Sequence, residues 1–172
     1  HNITNIVLDP VMVSTSGHRL IEESAIQTLQ SRLLPLARVI TPNIPEAEIL
    51  AGRKTLSAAD LPEVARELSL GGKVSVLLKA GHLTDNTLVD ILYNAEEDTI
   101  VELPSTRIET PNTHGTGCTL SSALAAALAK GLSLTEAAKA AKGYLTEALR
   151  SGADYTIGHG HGPVNHFWKI EN

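Results

Sequence analysis

Short apolar runs alternate along the chain with stretches in which apolar residues recur every three or four positions. The runs have the length and composition of buried β-strands, which we predict at residues 4–9, 37–41 and 74–79. The third run is apolar almost throughout, as expected for a central parallel strand covered on both faces. Residues 88–93 and 99–103 flank a polar turn and predict a hairpin near the edge of the sheet.

The stretches with the longer period predict helices, and capping or helix-breaking residues mark their ends. We predict helices at residues 22–34, ended by Pro35; from Pro45 to just before Gly52; at 58–70, opened by Ser57 and Asp60; at 119–130, stopped by Gly131; and from Ser133 towards Leu149. Strands that alternate with helices in this way indicate the α/β class.

The composition of the chain limits the number of domains and the kinds of partner that we expect. The chain has 172 residues, 42% of them hydrophobic and 19% charged, which predicts a single domain over residues 1–172. The formal net charge of −5 and the lack of any run of lysine and arginine argue against a nucleic-acid partner. No stretch has the length of a membrane helix or the layout of a signal peptide, and Cys118 is the one cysteine. We therefore expect no membrane association and a cytoplasmic location.

The most informative segment, residues 112–118, lies directly before the alanine-rich helix. Backbone N–H groups at a helix start attract anions, and Gly115 and Gly117 would let the backbone approach a phosphate closely. The segment therefore predicts an anion site suited to phosphoryl transfer. On the residues alone, a glycine-rich connection with no ligand is the commoner explanation.

Cys118 falls in the first turn of the same helix. The dipole of a helix favours the thiolate form of a cysteine at such a position, so Cys118 could act as a base. The alternative is a small buried residue that serves only packing.

Four segments together resemble one known family. Residues 112–121, Asn-Thr-His-Gly-Thr-Gly-Cys-Thr-Leu-Ser, are similar to the signature of the hydroxymethylpyrimidine/phosphomethylpyrimidine kinases, whereas other ribokinase-like enzymes usually have aspartate in place of the cysteine. Residues 9–12, 41–48 and 158–166 agree with that family in order and spacing. The resemblance covers almost the whole chain and implies a ribokinase-like, three-layer αβα fold with a mostly parallel central sheet.

The resemblance also implies an activity. The enzyme would transfer the γ-phosphate of ATP to 4-amino-5-hydroxymethyl-2-methylpyrimidine and then to its monophosphate, giving the diphosphate used in thiamine biosynthesis. Cys118 would take the proton of the substrate hydroxymethyl group. The amides of Gly115, Thr116 and Gly117 would stabilise the transferring phosphoryl group, and His114 would lie beside the nucleotide.

A Mg²⁺ site follows from the same resemblance. Asn43 and Glu46 match an Asn-x-x-Glu motif that holds Mg²⁺ and its waters, and Asp9 ends a predicted strand where α/β sheets bind ligands. Lys79 resembles a family lysine near the nucleotide phosphates. Without the resemblance, Asn43 and Glu46 would be a turn residue and a helix N-terminal carboxylate, Asp9 an Asx-type turn before Pro10, and Lys79 an exposed lysine.

The glycine-rich tail at residues 158–166 should lack regular structure. It contains His159, His161 and His166, but we do not predict a zinc site there, because closed sites usually need four converging ligands and no thiolate or carboxylate lies nearby. In the family reading the tail is a structural clasp beside the nucleotide pocket.

Members of the family carry roughly one more structural third before the residue that corresponds to Ile3. We therefore expect that the first strands and much of the pyrimidine pocket are missing, and that a free sheet edge favours a homo-oligomer or association with the missing N-terminal part. Two alternatives stay open: a pyridoxal kinase of the same superfamily, and a non-catalytic nucleotide-binding remnant.

Overall fold

The computed structural model describes residues 3–13, 19–54, 57–81 and 87–170. The chain divides into two compact units, the first ending at Pro104 and the second beginning at Ser105. The strands are β1 (Val7–Leu8), β2 (Val39–Ile40), β3 (Ser75–Leu78), β4 (Thr87–Asn94) and β5 (Thr99–Thr106). The α-helices are α1 (Glu23–Thr28), α2 (Ile44–Ala51), α3 (Leu61–Glu67), α4 (Thr116–Ala129) and α5 (Leu134–Gly152).

The strands form one five-stranded sheet in the order β1-β2-β3-β4-β5. The first three strands run parallel, with Val7 opposite Val39 and Val39 opposite Ser75. β4 runs antiparallel to β3, and the turn that joins β4 to β5 contains Asp98 with a φ of 49°. The predicted hairpin at the sheet edge is therefore confirmed, and the sheet is mixed, with its parallel pairs in the first half.

The core of the first unit lies around β2 and β3. Their residues are buried, and side chains of α2 and α3 such as Ala47 and Val64 pack in the same apolar cluster. This explains why the run at 74–79 does not alternate between apolar and polar residues, since a strand covered on both faces is apolar at most positions.

The helix predicted at residues 22–34 is regular only as far as Thr28. It continues as a π-helical turn at Leu29–Leu33 and a 3₁₀ turn at Leu34–Leu36, so Pro35 lies inside the last turn instead of ending the helix. The hydroxyls of Thr28 and Ser31 donate to carbonyls one turn back, a bond that bends helices, and Pro35 has no N–H to continue the α-helical ladder.

The helix predicted at 58–70 is also shorter than expected. Ser57 and Asp60 form the predicted capping box, but it opens a 3₁₀ turn at Ala58–Asp60 before α3 begins, and α3 ends at Glu67. The end comes early because Leu70 has a φ of 54° and the two glycines after it are also left-handed, which no α-helix accommodates.

The second unit is built on α4 and α5. α4 begins at Thr116, three residues before the predicted start, and ends before Gly131, whose φ of 86° makes it the predicted stop. Ser133 and Glu136 form the predicted capping box of α5. Small residues on α5 are buried, including Ala137 and Ala141, which allows close helix packing. Among the described residues, no helix combines the length and the apolar character needed to cross a membrane.

Candidate active site

Asp9, Thr41 and Lys79 meet where the three parallel strands end. Asp9 Oδ1 accepts hydrogen bonds from Thr41 Oγ1 at 3.0 Å and from Lys79 Nζ at 3.0 Å. The side chains of Asp9 and Lys79 are only 13% and 16% exposed, so this ion pair is largely shielded from water. The side chain of Asp9 thus bonds across the sheet, and Lys79 is not the exposed lysine of the alternative reading.

Asn43 and Glu46 form the capping box of α2. Asn43 Oδ1 accepts from the Glu46 amide at 2.9 Å, and Glu46 Oε2 accepts from the Asn43 amide at 2.8 Å. The local reading of this pair as a helix start is therefore confirmed. The amide of Lys79 donates to the carbonyl of Pro42 at 2.9 Å, which ties the start of α2 to the end of β3.

Glu46 is a buried acid with a perturbed pKa. Glu46 is only 2% exposed. Burial raises the pKa of Glu46 above its ordinary value, and the negative charge of Asp9 adds to the rise. The hydrogen bonds from the amides of Asn43 and Met12 and the positive charge of Lys79 oppose it. The carboxyl groups of Asp9 and Glu46 therefore both interact with the positive charge of Lys79.

The side chains of Asp9, Asn43 and Glu46 offer hard oxygen donors of the kind Mg²⁺ prefers. Mg²⁺ is usually held by one or two carboxylates together with waters and substrate phosphates, which suits Asp9 and Glu46. Asn43 fits less well as a direct ligand, because its side-chain oxygen already caps α2. Within the described residues, no group of three or more His, Cys, Asp or Glu side chains is arranged to hold a metal ion.

The second set of predicted site residues lies in the other unit, at the start of α4. Gly115 is the N-cap residue and has a φ of 86°, a left-handed backbone conformation that residues other than glycine rarely adopt. Thr116, Gly117 and Cys118 follow as the first helical turn. His114 precedes the cap and is exposed.

The amides of this turn are largely available to a ligand. The Thr116 amide makes a long bond of 3.4 Å to the carbonyl of Thr113. Among the described residues, no backbone carbonyl accepts from the amides of Gly115, Gly117 or Cys118. Cys118 is exposed, so the alternative of a buried packing residue is wrong. An open turn of amides beside an exposed thiol is the arrangement that the sequence predicted.

An asparagine just before the same turn, which the sequence analysis did not single out, holds the end of α5 and the residues that follow it. Asn112 is 3% exposed, and its Nδ2 donates to the carbonyls of Gly152 at 2.8 Å and Tyr155 at 2.7 Å. The amide of His114 donates to the carbonyl of Gly162 at 3.0 Å. The tail is therefore irregular, as predicted, and is fixed to the predicted anion turn within the second unit.

Two hydroxyl groups were also missed. Thr41 bonds to Asp9, and Thr119 Oγ1 bonds to the carbonyl of Gly115 at 2.7 Å. Both residues are buried, and their place inside the segments 41–48 and 112–121 that carry the family resemblance is the signal that could have identified them.

Comparison with known proteins identifies the family. The phosphomethylpyrimidine kinase family model matches residues 1–165. A hydroxymethylpyrimidine/phosphomethylpyrimidine kinase of Rhizobium meliloti is 48% identical over 169 residues, which cover 95% of this chain and 62% of that protein. The chain thus spans about three fifths of the length of this curated relative.

Solved structures agree on the fold. The ADP complex of Bacillus subtilis pyridoxal kinase is 36% identical, with a TM-score of 0.85 over 99% of this chain and 62% of that one. A phosphomethylpyrimidine kinase of Clostridium difficile is 40% identical, with a TM-score of 0.67 over 86% of this chain and 58% of that one. These similarities confirm the ribokinase-like α/β fold. On the family match and the shared fold together, the chain belongs to the phosphomethylpyrimidine kinase family.

Proposed function

We propose that the protein carrying this chain transfers the γ-phosphate of ATP to 4-amino-5-hydroxymethyl-2-methylpyrimidine and then to its monophosphate. The observation that carries the proposal is the start of α4, where a left-handed Gly115 opens a turn of largely available amides with Cys118 exposed in its first turn. Such a turn binds phosphate, and the family match points to the pyrimidine as acceptor. A cytoplasmic location is part of the proposal.

In the proposed reaction Cys118, as thiolate, accepts the proton of the substrate hydroxyl group. The hydroxyl oxygen forms a bond to the γ-phosphorus of ATP while the bond between that phosphorus and the β,γ-bridging oxygen breaks, and ADP leaves. The amides of Gly115, Thr116 and Gly117 donate to the transferring group as its negative charge shifts. His114, next to the cap, lies beside the nucleotide in this proposal.

In the first unit, the proposal assigns the charged side chains at the ends of the parallel strands to Mg²⁺ and phosphate binding. Asp9 and Glu46 would hold Mg²⁺, directly or through its waters, while Asn43 fixes Glu46 through the capping box. When bound, Mg²⁺ neutralises phosphate charge. Lys79 would bind a phosphate oxygen, and Asp9 keeps its ammonium group in place until then.

The proposal also concerns the edge of the sheet at β1. Among the strands that the structure describes, β1 pairs only with β2, and it is two residues long. We propose that a second copy of the chain, or a further N-terminal segment of the protein, covers this edge and completes the pocket for the pyrimidine acceptor.

The test is a coupled ADP-release assay on the intact protein with three acceptors: the hydroxymethylpyrimidine, its monophosphate and pyridoxal. Turnover with the first two supports the proposal. Turnover with pyridoxal alone would assign the second candidate, a pyridoxal kinase, which the similarity to the Bacillus subtilis enzyme favours. Binding of Mg-ATP without turnover on any acceptor would indicate a non-catalytic nucleotide-binding module.

A further inference from the structure

A histidine of the tail contacts the start of α4 through one hydroxyl group. His166 Nε2 lies 2.9 Å from Thr119 Oγ1, and Thr119 Oγ1 lies 2.7 Å from the carbonyl oxygen of Gly115. The three residues belong to the second unit. Thr119 is 6% exposed, so water does not compete freely for its hydroxyl group.

The positions of the hydrogens follow from the inventory of donors. A carbonyl oxygen carries no hydrogen, so the 2.7 Å contact between two oxygens requires the hydroxyl hydrogen of Thr119 to point at Gly115. The hydroxyl group has no second hydrogen to give. His166 must therefore donate from Nε2 to Thr119, which requires a hydrogen on Nε2.

This chain of bonds controls one peptide plane of the anion turn. The Gly115 carbonyl accepts from both the hydroxyl and the amide of Thr119, at 2.7 Å and 2.9 Å. Because a peptide group is planar and trans, a fixed carbonyl also fixes the N–H of the next residue, which lies in the same plane and points in the opposite direction. That residue is Thr116, whose amide points out of the helix start and makes only the long 3.4 Å bond to the carbonyl of Thr113.

The position of His166 is itself set by α5. Tyr144 donates from its hydroxyl group to the carbonyl of His166 at 2.7 Å, and the amide of Asn165 donates to the carbonyl of Ala148 at 2.9 Å. The backbone of the tail is thus held on one side while the ring reaches α4.

We propose that His166 and Thr119 are positioning residues for the anion turn: His166 orients the Thr119 hydroxyl group, which holds the Gly115–Thr116 peptide in the plane that aims its amide at the phosphate. This inference rests on the proposed function, since it assigns a role within the same site. A threonine that bonds to a carbonyl one turn back is common in helices, and Thr146 does so to Lys142 at 2.9 Å. The contact with His166 is what distinguishes Thr119.

The test compares Thr119→Val, Thr119→Ser and His166→Ala with the matched control Thr146→Val in the intact protein. Imidazole ¹⁵N spectra report which ring nitrogen of His166 carries hydrogen, and amide spectra report the turn at residues 115–117. Calorimetry with ADP measures affinity, and steady-state assays separate kcat from KM. Losing one net hydrogen bond predicts an ADP affinity about fivefold lower in Thr119→Val and His166→Ala.

Support requires hydrogen on Nε2 of His166, shifted turn amides and weaker ADP binding in both variants, recovery in Thr119→Ser, and no change in Thr146→Val. The inference is overturned if His166 carries its hydrogen on Nδ1 alone, or if Thr119→Val matches Thr146→Val in amide spectra and ADP affinity. His166 is exposed, so we expect His166→Ala to fold. This variant therefore tests the inference even if Thr119→Val does not fold. Shifted amides and weaker ADP binding in a protein without turnover would refute the kinase proposal and keep this one.

Discussion

Replacing Gly162 by alanine tests how the tail is docked. A Cβ at residue 162 would lie 2.0 Å from Asn112 Oδ1 and 2.7 Å from Asn112 Cγ, where ordinary contact begins at 3.4 Å. Asn112 cannot move aside freely, because its Nδ2 holds the carbonyls of Gly152 and Tyr155. Gly160 offers a matched control two residues away, since nothing lies within 4 Å of the corresponding Cβ.

The expected cost follows from these contacts. Displacing Asn112 breaks the hydrogen bonds of its Nδ2 to the carbonyls of Gly152, Ala153 and Tyr155, while keeping it in place forces an overpacked contact. Either outcome predicts that Gly162→Ala lowers the free energy of unfolding by about 2–4 kcal/mol, whereas Gly160→Ala changes it by less than about 0.5 kcal/mol.

The assay is denaturant unfolding combined with hydrogen exchange at the amide of His114, which donates to the carbonyl of Gly162. In an Asn112→Ala background the added methyl group has room, so Gly162→Ala should cost much less there. Equal effects of Gly162→Ala and Gly160→Ala, or the same cost with and without Asn112, would refute the reasoning.

Three further predictions concern the charged cluster and the start of α5. Burial raises the pKa of Glu46, so its contribution to stability is full below the ordinary value of 4.5 and is lost as pH rises through the raised pKa. The stability of Glu46→Gln relative to that of the wild type should therefore increase between about pH 4 and pH 8. A difference in melting temperature between the two proteins that stays constant over this pH range would contradict this. Asp9→Asn leaves Lys79 without its shielded partner and should destabilise the protein by about 1–3 kcal/mol. Adding Lys79→Met to this variant should recover part of the loss. If the two substitutions instead gave additive losses in urea unfolding, that would argue against a coupled pair. Ser133→Ala removes the side-chain cap of α5 and should cost about 1 kcal/mol in the same assay, and an unchanged midpoint would show that the cap is not needed.

Local signals in the sequence predicted the features that depend on neighbouring residues. The capping boxes at Ser57 and Ser133 need only a partner three residues on, and the stop at Gly131 needs only its own φ. The predicted edge hairpin likewise follows from two runs and one turn. Such features survive folding because tertiary contacts do not have to create them.

Features that depend on distant contacts were not predicted. The π-helical and 3₁₀ turns after Thr28 share the apolar spacing of a regular helix, so periodicity could not separate them. Thr41 is 32 residues from Asp9, and His166 is 47 residues from Thr119. Nothing in the local pattern indicates such a partner, although the family motifs placed Asp9, Asn43, Glu46 and Lys79 in one site and these four residues do lie together.

The central claim is that Cys118 acts on the acceptor hydroxyl group beside a turn of amides that binds phosphate. The most direct measurement is the turnover of Cys118→Ala in the intact protein, with its affinity for Mg-ATP measured in parallel by calorimetry. The account predicts that kcat falls by about 10²-fold or more, as for loss of a positioned base, while the affinity changes by less than about threefold. Turnover equal to that of the wild type with the pyrimidine acceptor would contradict it.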